Sequence, residues 1–286
     1  MSDRPDWNVE GRDWPNRDHS RFVNAGGVRW HVQVAGCGPV LLLLHGTGAA
    51  THSWRVLLPL LAEHFTVVAP DLPGHGFTAS GPLTLPAMAK AMAALLVELD
   101  MKPGIIAGHS AGAAIGLRMV IDGLVAPDAF VALSPALLPF PGLAAQLFPT
   151  LAKMLFLNPF APHIFARMAG PSREVERFMG KSTGSTIDAA GVESYARLFR
   201  KPGHIRGTIS MMANWDLEPL KRDLPKLSLP VLFIHGDKDT AIPIAKAREA
   251  AALIPGVRFE TLVGLGHLAH EEDPEHVAAL IREASE

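Results

Sequence analysis

Short apolar runs alternate with helix-like segments along most of this sequence, and this alternation limits the possible folds more than any other feature. Strand-like runs lie at Val40–Leu44, Thr66–Pro70, 103–107, 230–235 and 257–263. Helical spacing of apolar residues occurs at 54–64, 85–99, 113–122, 244–253 and 274–284. Strands that alternate with helices predict an α/β fold with a mainly parallel sheet that is covered by helices on both faces. In such a sheet, functional groups collect beyond the carboxyl ends of the strands.

The region before this alternation has a different character. Residues 1–20 are mostly polar and contain Trp7 and Trp14, which we expect to pack on the body of the protein as part of an N-terminal extension. Residues 21–24 and 28–34 then show β-type alternation on either side of a glycine-containing turn. This pattern predicts an antiparallel hairpin at the start of the sheet.

Between residues 136 and 217 the strand–helix alternation stops, and the pattern becomes mostly helical and rich in Phe, Met and Pro. An insertion of this length between two sheet strands predicts a helical lid, which leaves 21–135 and 218–286 as the α/β core. Most apolar side chains of the lid would pack its own interior. A minority would line an apolar substrate pocket, and the candidates are Met154, Phe165, Met168, Met211 and Trp215.

Composition narrows the class of protein. Hydrophobic residues make up 48% of the chain and charged residues 19%, with a net charge of -2, so we expect no nucleic-acid partner. The single cysteine, Cys37, excludes an intramolecular disulfide, and the polar start lacks the apolar region of a secretion signal, so we expect a cytoplasmic protein. Residues 129–152 carry no charge, but four prolines interrupt them and we predict no transmembrane segment.

The apolar run at 103–107 leads directly into Gly108-His109-Ser110-Ala111-Gly112, which precedes a helix-like segment. A G-x-S-x-G string between a strand and a helix is typical of a nucleophile elbow, a sharp turn that exposes the serine at the edge of the sheet. Small residues on both sides allow the strand and the helix to approach each other closely. Ser110 is therefore a candidate nucleophile.

A serine nucleophile needs a base, a group that orients the base, and donors for the oxyanion. His267 follows the last strand in Gly264-Leu265-Gly266-His267, and the preceding strand leads to His235-Gly236-Asp237-Lys238-Asp239. These segments provide the base and a carboxylate in the chain order Ser, Asp, His that belongs to this sheet architecture. No H-E-x-x-H or comparable ligand spacing is present, and we expect no metal or other cofactor.

Over about residues 21–286 the chain resembles the α/β-hydrolase superfamily, whose loop motifs occur here in the family's order. They are H-G-x-G at 45–48, D-x-P-G-x-G at 71–76, the elbow, G-x-x-D at 236–239 and G-x-G-H at 264–267. The resemblance implies the α/β-hydrolase fold and a catalytic triad of Ser110, His267 and Asp239, with Asp237 left as an exposed loop residue. It also implies an oxyanion hole made by the backbone N–H groups of Thr47 and Ala111.

Other members of that superfamily limit the reaction. A serine at the apex disfavours haloalkane dehalogenases and epoxide hydrolases, which use an aspartate there, and the single tyrosine, Tyr195, leaves no pair of lid tyrosines for epoxide activation. Hydrolysis of an ester, thioester, lactone or carbon–carbon bond remains, and the carboxylic-ester type is preferred. In the same superfamily, histidines placed like His45, His75, His109 and His235 mostly brace loops.

The chain is also similar to the magnesium-chelatase accessory proteins of bacteriochlorophyll biosynthesis, the BchO type. The strings that carry this similarity are Gly-Arg-Asp-Trp-Pro-Asn-Arg at 11–17, which general hydrolases lack, and 45–55. The resemblance implies a role linked to magnesium insertion into protoporphyrin, with magnesium chelatase as a partner and a location that includes the surface of the photosynthetic membrane. The arginines of the lid are compatible with binding the carboxylates of a tetrapyrrole. Acidic residues alternate with them, however, and this pattern favours the interpretation that these charges form a solvent-exposed face.

Two functions of different class remain open. In the first, the protein is a serine hydrolase that forms an acyl-enzyme on a hydrophobic, ester-like substrate. In the second, it is an accessory or tetrapyrrole-binding protein that retains the triad but assists magnesium chelatase without catalysis.

Overall fold

The computed structural model describes residues 3–139, 158 and 160–285. Its framework is an eight-stranded sheet in the order β1-β2-β4-β3-β5-β6-β7-β8. The strands are β1 Ser20–Ala25, β2 Val28–Ala35, β3 Val40–Leu44, β4 Thr66–Pro70, β5 Ile105–His109, β6 Ala129–Leu133, β7 Val231–Gly236 and β8 Arg258–Leu262. The first hairpin and the β2–β4 pair are antiparallel, and the other pairs are parallel. The predicted α/β class and hairpin are confirmed.

Helices cover both faces of this sheet. In chain order the α-helices are α1 Leu57–Ala62, α2 Leu85–Glu98, α3 Ala111–Ile121, α4 Ala161–Met168, α5 Ser172–Thr183, α6 Ala189–Phe199, α7 Pro202–Ala213, α8 Glu218–Asp223, α9 Ile244–Ala251, α10 Ala269–Glu272 and α11 Pro274–Glu283. Short 3-10 helices lie at Arg17–His19, Thr51–Trp54 and Leu224–Lys226. The sequence pattern predicts one helix over 54–64, but the helix that forms there, α1, is shorter and spans Leu57–Ala62. Pro59 is tolerated only in a helix's first turn, so α1 begins just before it.

Alternate residues of the central strands enter two different cores. On β3, Leu42 and Leu44 pack with α2 and α3, whereas Leu41 and Leu43 pack with α1 and α11 on the opposite face. All four leucines are fully buried. This double burial explains why the strand is uniformly apolar, since each face of a parallel sheet is covered.

The N-terminal extension packs against the body through its tryptophans, as predicted. The indole of Trp14 is buried, donates to Thr51 Oγ1 at 2.9 Å and stacks edge-on against Phe77. Trp7 contacts the same phenylalanine ring and that of Phe22. Helices α4 to α7 lie within the predicted lid, whose function and boundaries stay predictions. Within the described ranges, no helix is long and apolar enough to cross a bilayer.

Candidate active site

Ser110 lies at the apex of the turn between β5 and α3. Its backbone has φ 51° and ψ -114°, a conformation that residues other than glycine rarely adopt. The turn is held by hydrogen bonds at both sides, because the Ser110 N–H donates to the Leu133 carbonyl at 2.9 Å and the Ser110 carbonyl accepts from Ala136 at 3.2 Å. Residues 105–109 and 111–119 are all buried. Ser110 is therefore the one residue between 105 and 119 that is not buried.

Two glycines permit the close packing around this turn. A Cβ on Gly112 would overlap the carbonyl oxygen of Leu44, so only glycine lets α3 approach β3 at this point. A Cβ on Gly46 would lie 2.9 Å from His109 Nδ1 and 3.1 Å from the Ser110 Cβ. The H-G-x-G loop thus lies directly against the serine.

His267 and Asp239 form a buried hydrogen-bonded pair. His267 Nδ1 lies 2.7 Å from Asp239 Oδ2, and the other carboxylate oxygen accepts the N–H groups of Ala241 and Ile242, each at 2.8 Å. These bonds fix the carboxylate, which in turn fixes the imidazole plane. Asp237 is exposed and accepts the Gly264 N–H at 2.7 Å.

The residue before the serine connects it to this pair. His109 Nε2 donates to the His267 carbonyl at 3.0 Å, and the two imidazole centroids are 4.7 Å apart. From the insertion, the Thr183 carbonyl accepts the His267 N–H at 2.8 Å. The structure thus places Ser110, His267 and Asp239 at the carboxyl edge of the sheet. Their catalytic roles stay a prediction.

The two predicted oxyanion donors also lie beside the serine. Ala111 is the first residue of α3, so its N–H has no partner within the helix. Among the described residues, the N–H groups of Ala111 and Thr47 form no hydrogen bond with backbone or side chains. Thr47 Oγ1 donates to the sulfur of buried Met211 at 3.7 Å, which brings one predicted pocket residue next to the loop.

The other predicted pocket residues lie elsewhere. Phe165 and Met168 project from α4 and are exposed, whereas Trp215 is half-buried against the main core. Met154 falls outside the described residues. The pocket role of these four residues stays a prediction.

His204 on α7 is a residue that the sequence did not single out. Its Nδ1 accepts the Gly76 N–H at 3.1 Å, and its Nε2 donates to the Gly48 carbonyl at 3.0 Å. One neutral imidazole therefore joins the insertion to both glycine-containing loops. No local motif could have revealed this contact, because the partners are 128 and 156 residues away in the chain.

Burial keeps several histidines near the site uncharged. Desolvation lowers the pKa of His204 to about 4 and that of His270 to about 3, and it lowers the pKa of His109 well below the ordinary value. The His109 and His270 rings are 4.4 Å apart. The imidazoles that neighbour His267 are consequently neutral at pH 7.

The predicted bracing by histidines is observed in the loops. His45 Nε2 accepts the Leu72 N–H at 2.9 Å, His75 Nδ1 lies 3.1 Å from the Pro73 carbonyl, and His235 Nε2 lies 2.9 Å from the Ile242 carbonyl. His109 contributes the bond to His267 described above. Each of these bonds fixes the backbone of a loop around the candidate site.

A second buried network lies behind the histidines. The Glu271 carboxylate pairs with Arg55 and accepts the Tyr195 hydroxyl at 2.8 Å, and Arg55 also reaches Asp188 at 2.9 Å. Desolvation raises the pKa of Glu271 to about 7, against the opposing effect of the guanidinium. These bonds join α6 of the insertion to α10, which directly follows the His267 loop. Among the described side chains, no group of three or more His, Cys, Asp or Glu could hold a metal.

Comparison with known proteins is consistent with this geometry. A model of the alpha/beta hydrolase family matches residues 41–280, which span the sheet from β3 and every loop of the candidate site. The chain belongs to the alpha/beta hydrolase family. The fold inferred from the loop motifs is thereby confirmed.

Solved structures of alpha/beta hydrolases have the same architecture. The epoxide hydrolase CorEH has a TM-score of 0.78 with 23% identity, over 93% of this chain and 97% of its own. An esterase from Thermogutta terrifontis has a TM-score of 0.73 with 22% identity, over 92% of this chain and 97% of its own. At this identity the likeness concerns the fold alone.

Two curated relatives are closer in sequence. The magnesium-chelatase 30 kDa subunit of Rhodobacter capsulatus is 37% identical over 94% of this chain and 95% of its own length. This similarity confirms the resemblance inferred from the strings at 11–17 and 45–55. A pimeloyl-[acyl-carrier protein] methyl ester esterase of Xanthomonas oryzae is 29% identical over 83% of this chain and 91% of its own length.

Proposed function

We propose that this alpha/beta hydrolase is a serine esterase that acts through an acyl-enzyme on a hydrophobic carboxylic ester. The observation that carries the proposal is the accessible Ser110 in a strained backbone conformation, joined through His109 to the buried His267–Asp239 pair. Strained, accessible serines beside a buried His–Asp pair suit nucleophilic catalysis.

In the proposed mechanism, Ser110 Oγ attacks the ester carbonyl carbon while His267 Nε2 takes the hydroxyl proton. Asp239 holds the Nδ1 proton at 2.7 Å and stabilises the imidazolium that forms. The negative oxygen of the tetrahedral intermediate accepts the unused N–H groups of Thr47 and Ala111. His267 then protonates the leaving alcohol, which departs and leaves an ester on Ser110.

A water molecule completes the cycle. His267 takes a proton from the water as it attacks the acyl-enzyme, and the carboxylic acid leaves when the proton returns to Ser110 Oγ. We propose that the helices of the insertion act as a lid that excludes bulk water during these steps. Contacts from Thr183, His204 and Met211 to the site loops support that role.

We further propose a link to magnesium-porphyrin synthesis. The support is the similarity to the chelatase subunit over 94% of this chain. A porphyrin carboxyl ester is a large, apolar ester and therefore fits the proposed substrate class.

The test is labelling with a fluorophosphonate, which reacts with activated serines. We expect one adduct on the peptide that contains Ser110, and no adduct in Ser110→Ala. Ser134→Ala provides a matched control, because Ser134 also has a positive φ, at 41°, but is buried at the end of β6. Failure of the native protein to react, together with no hydrolysis of p-nitrophenyl esters, would refute the proposal.

One observation favours a second function: the chain is 37% identical to a protein named as a subunit of magnesium chelatase. In this alternative the protein binds a tetrapyrrole or the chelatase and Ser110 is not used. Protoporphyrin titration followed by absorbance distinguishes the two. Equal binding by the native protein and Ser110→Ala, with neither hydrolysing porphyrin esters, supports the accessory function.

A further inference from the structure

Exposed apolar side chains are concentrated on one part of the insertion. In the described part of the chain, nine large apolar residues are exposed, and four of them are isolated valines: Val9, Val56, Val97 and Val263. The other five include every exposed phenylalanine and methionine, and all lie within residues 160–178. A soluble surface normally carries such residues singly, so a cluster of this size indicates an interaction surface.

Four of these residues form the outward face of α4. Phe160, Ile164, Phe165 and Met168 are 70%, 55%, 41% and 66% exposed, and their spacing places them on one side of the helix. The buried positions of α4 are small residues, Ala161, Pro162 and Ala166. The usual arrangement of a water-facing helix is therefore inverted, with small residues inside and large apolar residues outside.

The segment that contains this face has a positive net charge. Residues 160–181 contain four cations and two anions, for a net charge of +2 in a chain whose total is -2. Arg167, Arg173 and Lys181 are exposed, and no ion pair is formed by them among the described residues. Arg167 lies on α4 itself, and Arg173 and Lys181 lie on the next helix, α5. An outward apolar ridge in a segment with unpaired cations matches the two zones of an anionic lipid surface, the acyl chains and the phosphates.

We propose that the outward face of α4 docks on an anionic lipid bilayer. The helix would lie in the plane of the interface, with Phe160 and Ile164 among the acyl chains and the neighbouring cations at the headgroups. The face is a convex ridge of long side chains. A fluid bilayer accepts such a shape directly, whereas a protein partner needs a matching groove.

The position of α4 gives this docking a consequence for the site. Its inner face packs against α7, which carries His204 and Met211 to the loops around Ser110. A bilayer in contact with α4 would therefore adjoin the helices proposed as the lid. This consequence rests on the proposed function, whereas the docking itself does not.

The experiment is flotation of the full-length protein with vesicles of phosphatidylcholine, with and without phosphatidylglycerol. We expect binding to the anionic vesicles, weaker binding to the neutral ones, and release by high salt. Phe160→Gln/Ile164→Gln should weaken binding at least about tenfold, and Arg167→Gln about fivefold. Val97→Gln/Val263→Gln is the matched control, since both valines are 82% exposed on the α/β core and should be dispensable.

Circular dichroism of each variant establishes that it is folded. Absence of native binding to both vesicle types would overturn the proposal and leave a protein partner as the occupant. Equal binding by the native protein and Phe160→Gln/Ile164→Gln would also overturn it. Because binding is measured without a substrate, a protein that floats but does not hydrolyse esters contradicts only the proposed function.

Discussion

At the scale of single residues, the candidate site depends on two neighbouring carboxylates in very different surroundings. Asp239 is buried, accepts two backbone N–H groups and lies 2.7 Å from His267 Nδ1. Asp237, two positions earlier, is exposed at the loop surface. Only the first can hold the imidazole in the tautomer that accepts a proton at Nε2.

Asp239→Asn should therefore reduce kcat for a p-nitrophenyl ester by about 10³–10⁴-fold, because an amide in place of the carboxylate favours the wrong imidazole tautomer. Asp237→Asn retains an oxygen for the Gly264 N–H and should change kcat by less than about twofold, as expected of a surface substitution. Steady-state kinetics of both variants test the assignment. Similar losses in the two variants would contradict it.

The lowered pKa of His204 should make the stability of the protein depend on pH. Its folded-state pKa is about 4, below the ordinary 6.5, so above pH 6.5 it is neutral in both the folded and the unfolded chain. Between pH 6.5 and 4 the unfolded chain takes up the proton and the folded protein does not. The free energy of unfolding therefore decreases as the pH is lowered through this range. His270 acts in the same direction.

Urea denaturation at pH 7 and pH 5 measures this effect. In His204→Gln, which can still bond both loops, the free energy of unfolding should depend less on pH, by up to about 1.4 kcal/mol per pH unit. If the free energy of unfolding of the variant changes with pH as steeply as that of the native protein, this histidine does not titrate as described.

At the scale of elements, the N-terminal segment ties the insertion to the sheet. On the sheet side Trp14 bonds Thr51, and on the insertion side Arg197 of α6 forms a two-pronged ion pair with Asp13, at 2.6 and 3.0 Å. Lys201 adds an ion pair with Glu10 at 2.6 Å. The segment therefore holds α6 and α7 in place above the loops.

Arg197→Ala should lower the free energy of unfolding by about 1–2 kcal/mol, because it removes a bidentate ion pair and a bond to the Glu10 carbonyl. Arg177→Ala is the comparison, since its pair with Glu174 lies within one exposed helix and should contribute less than about 0.5 kcal/mol. Thermal denaturation of both variants gives the difference. Equal losses would mean that the N-terminal segment does not stabilise the insertion.

Elements with strong local patterns could be predicted from sequence, and contacts across the chain could not. The uniformly apolar β3 and the glycine-flanked Ser110 carry their own signal, because burial on both faces and a sharp turn each demand particular residue types. The bridge from His204 to Gly48 and Gly76 has no such signal. It depends on how α7 lies over two loops that are distant in sequence.

At the scale of the whole molecule, one sheet separates two cores, and the candidate site lies at the edge where its parallel strands end. Each component comes from a different connection: Ser110 after β5, Asp239 after β7 and His267 after β8. This distribution explains why the motif order could identify the family. The substrate could not be predicted, because the apolar residues of the insertion have a pattern that indicates packing and does not identify a ligand.

The central claim, that Ser110 carries an acyl group during turnover, is tested most directly by trapping. The protein is mixed with an excess of p-nitrophenyl ester, quenched within the first turnovers, digested and analysed by mass spectrometry. We predict an early release of one p-nitrophenolate per protein molecule and an acyl group on the peptide that contains Ser110. Ester turnover without an acyl group on that peptide would contradict the account.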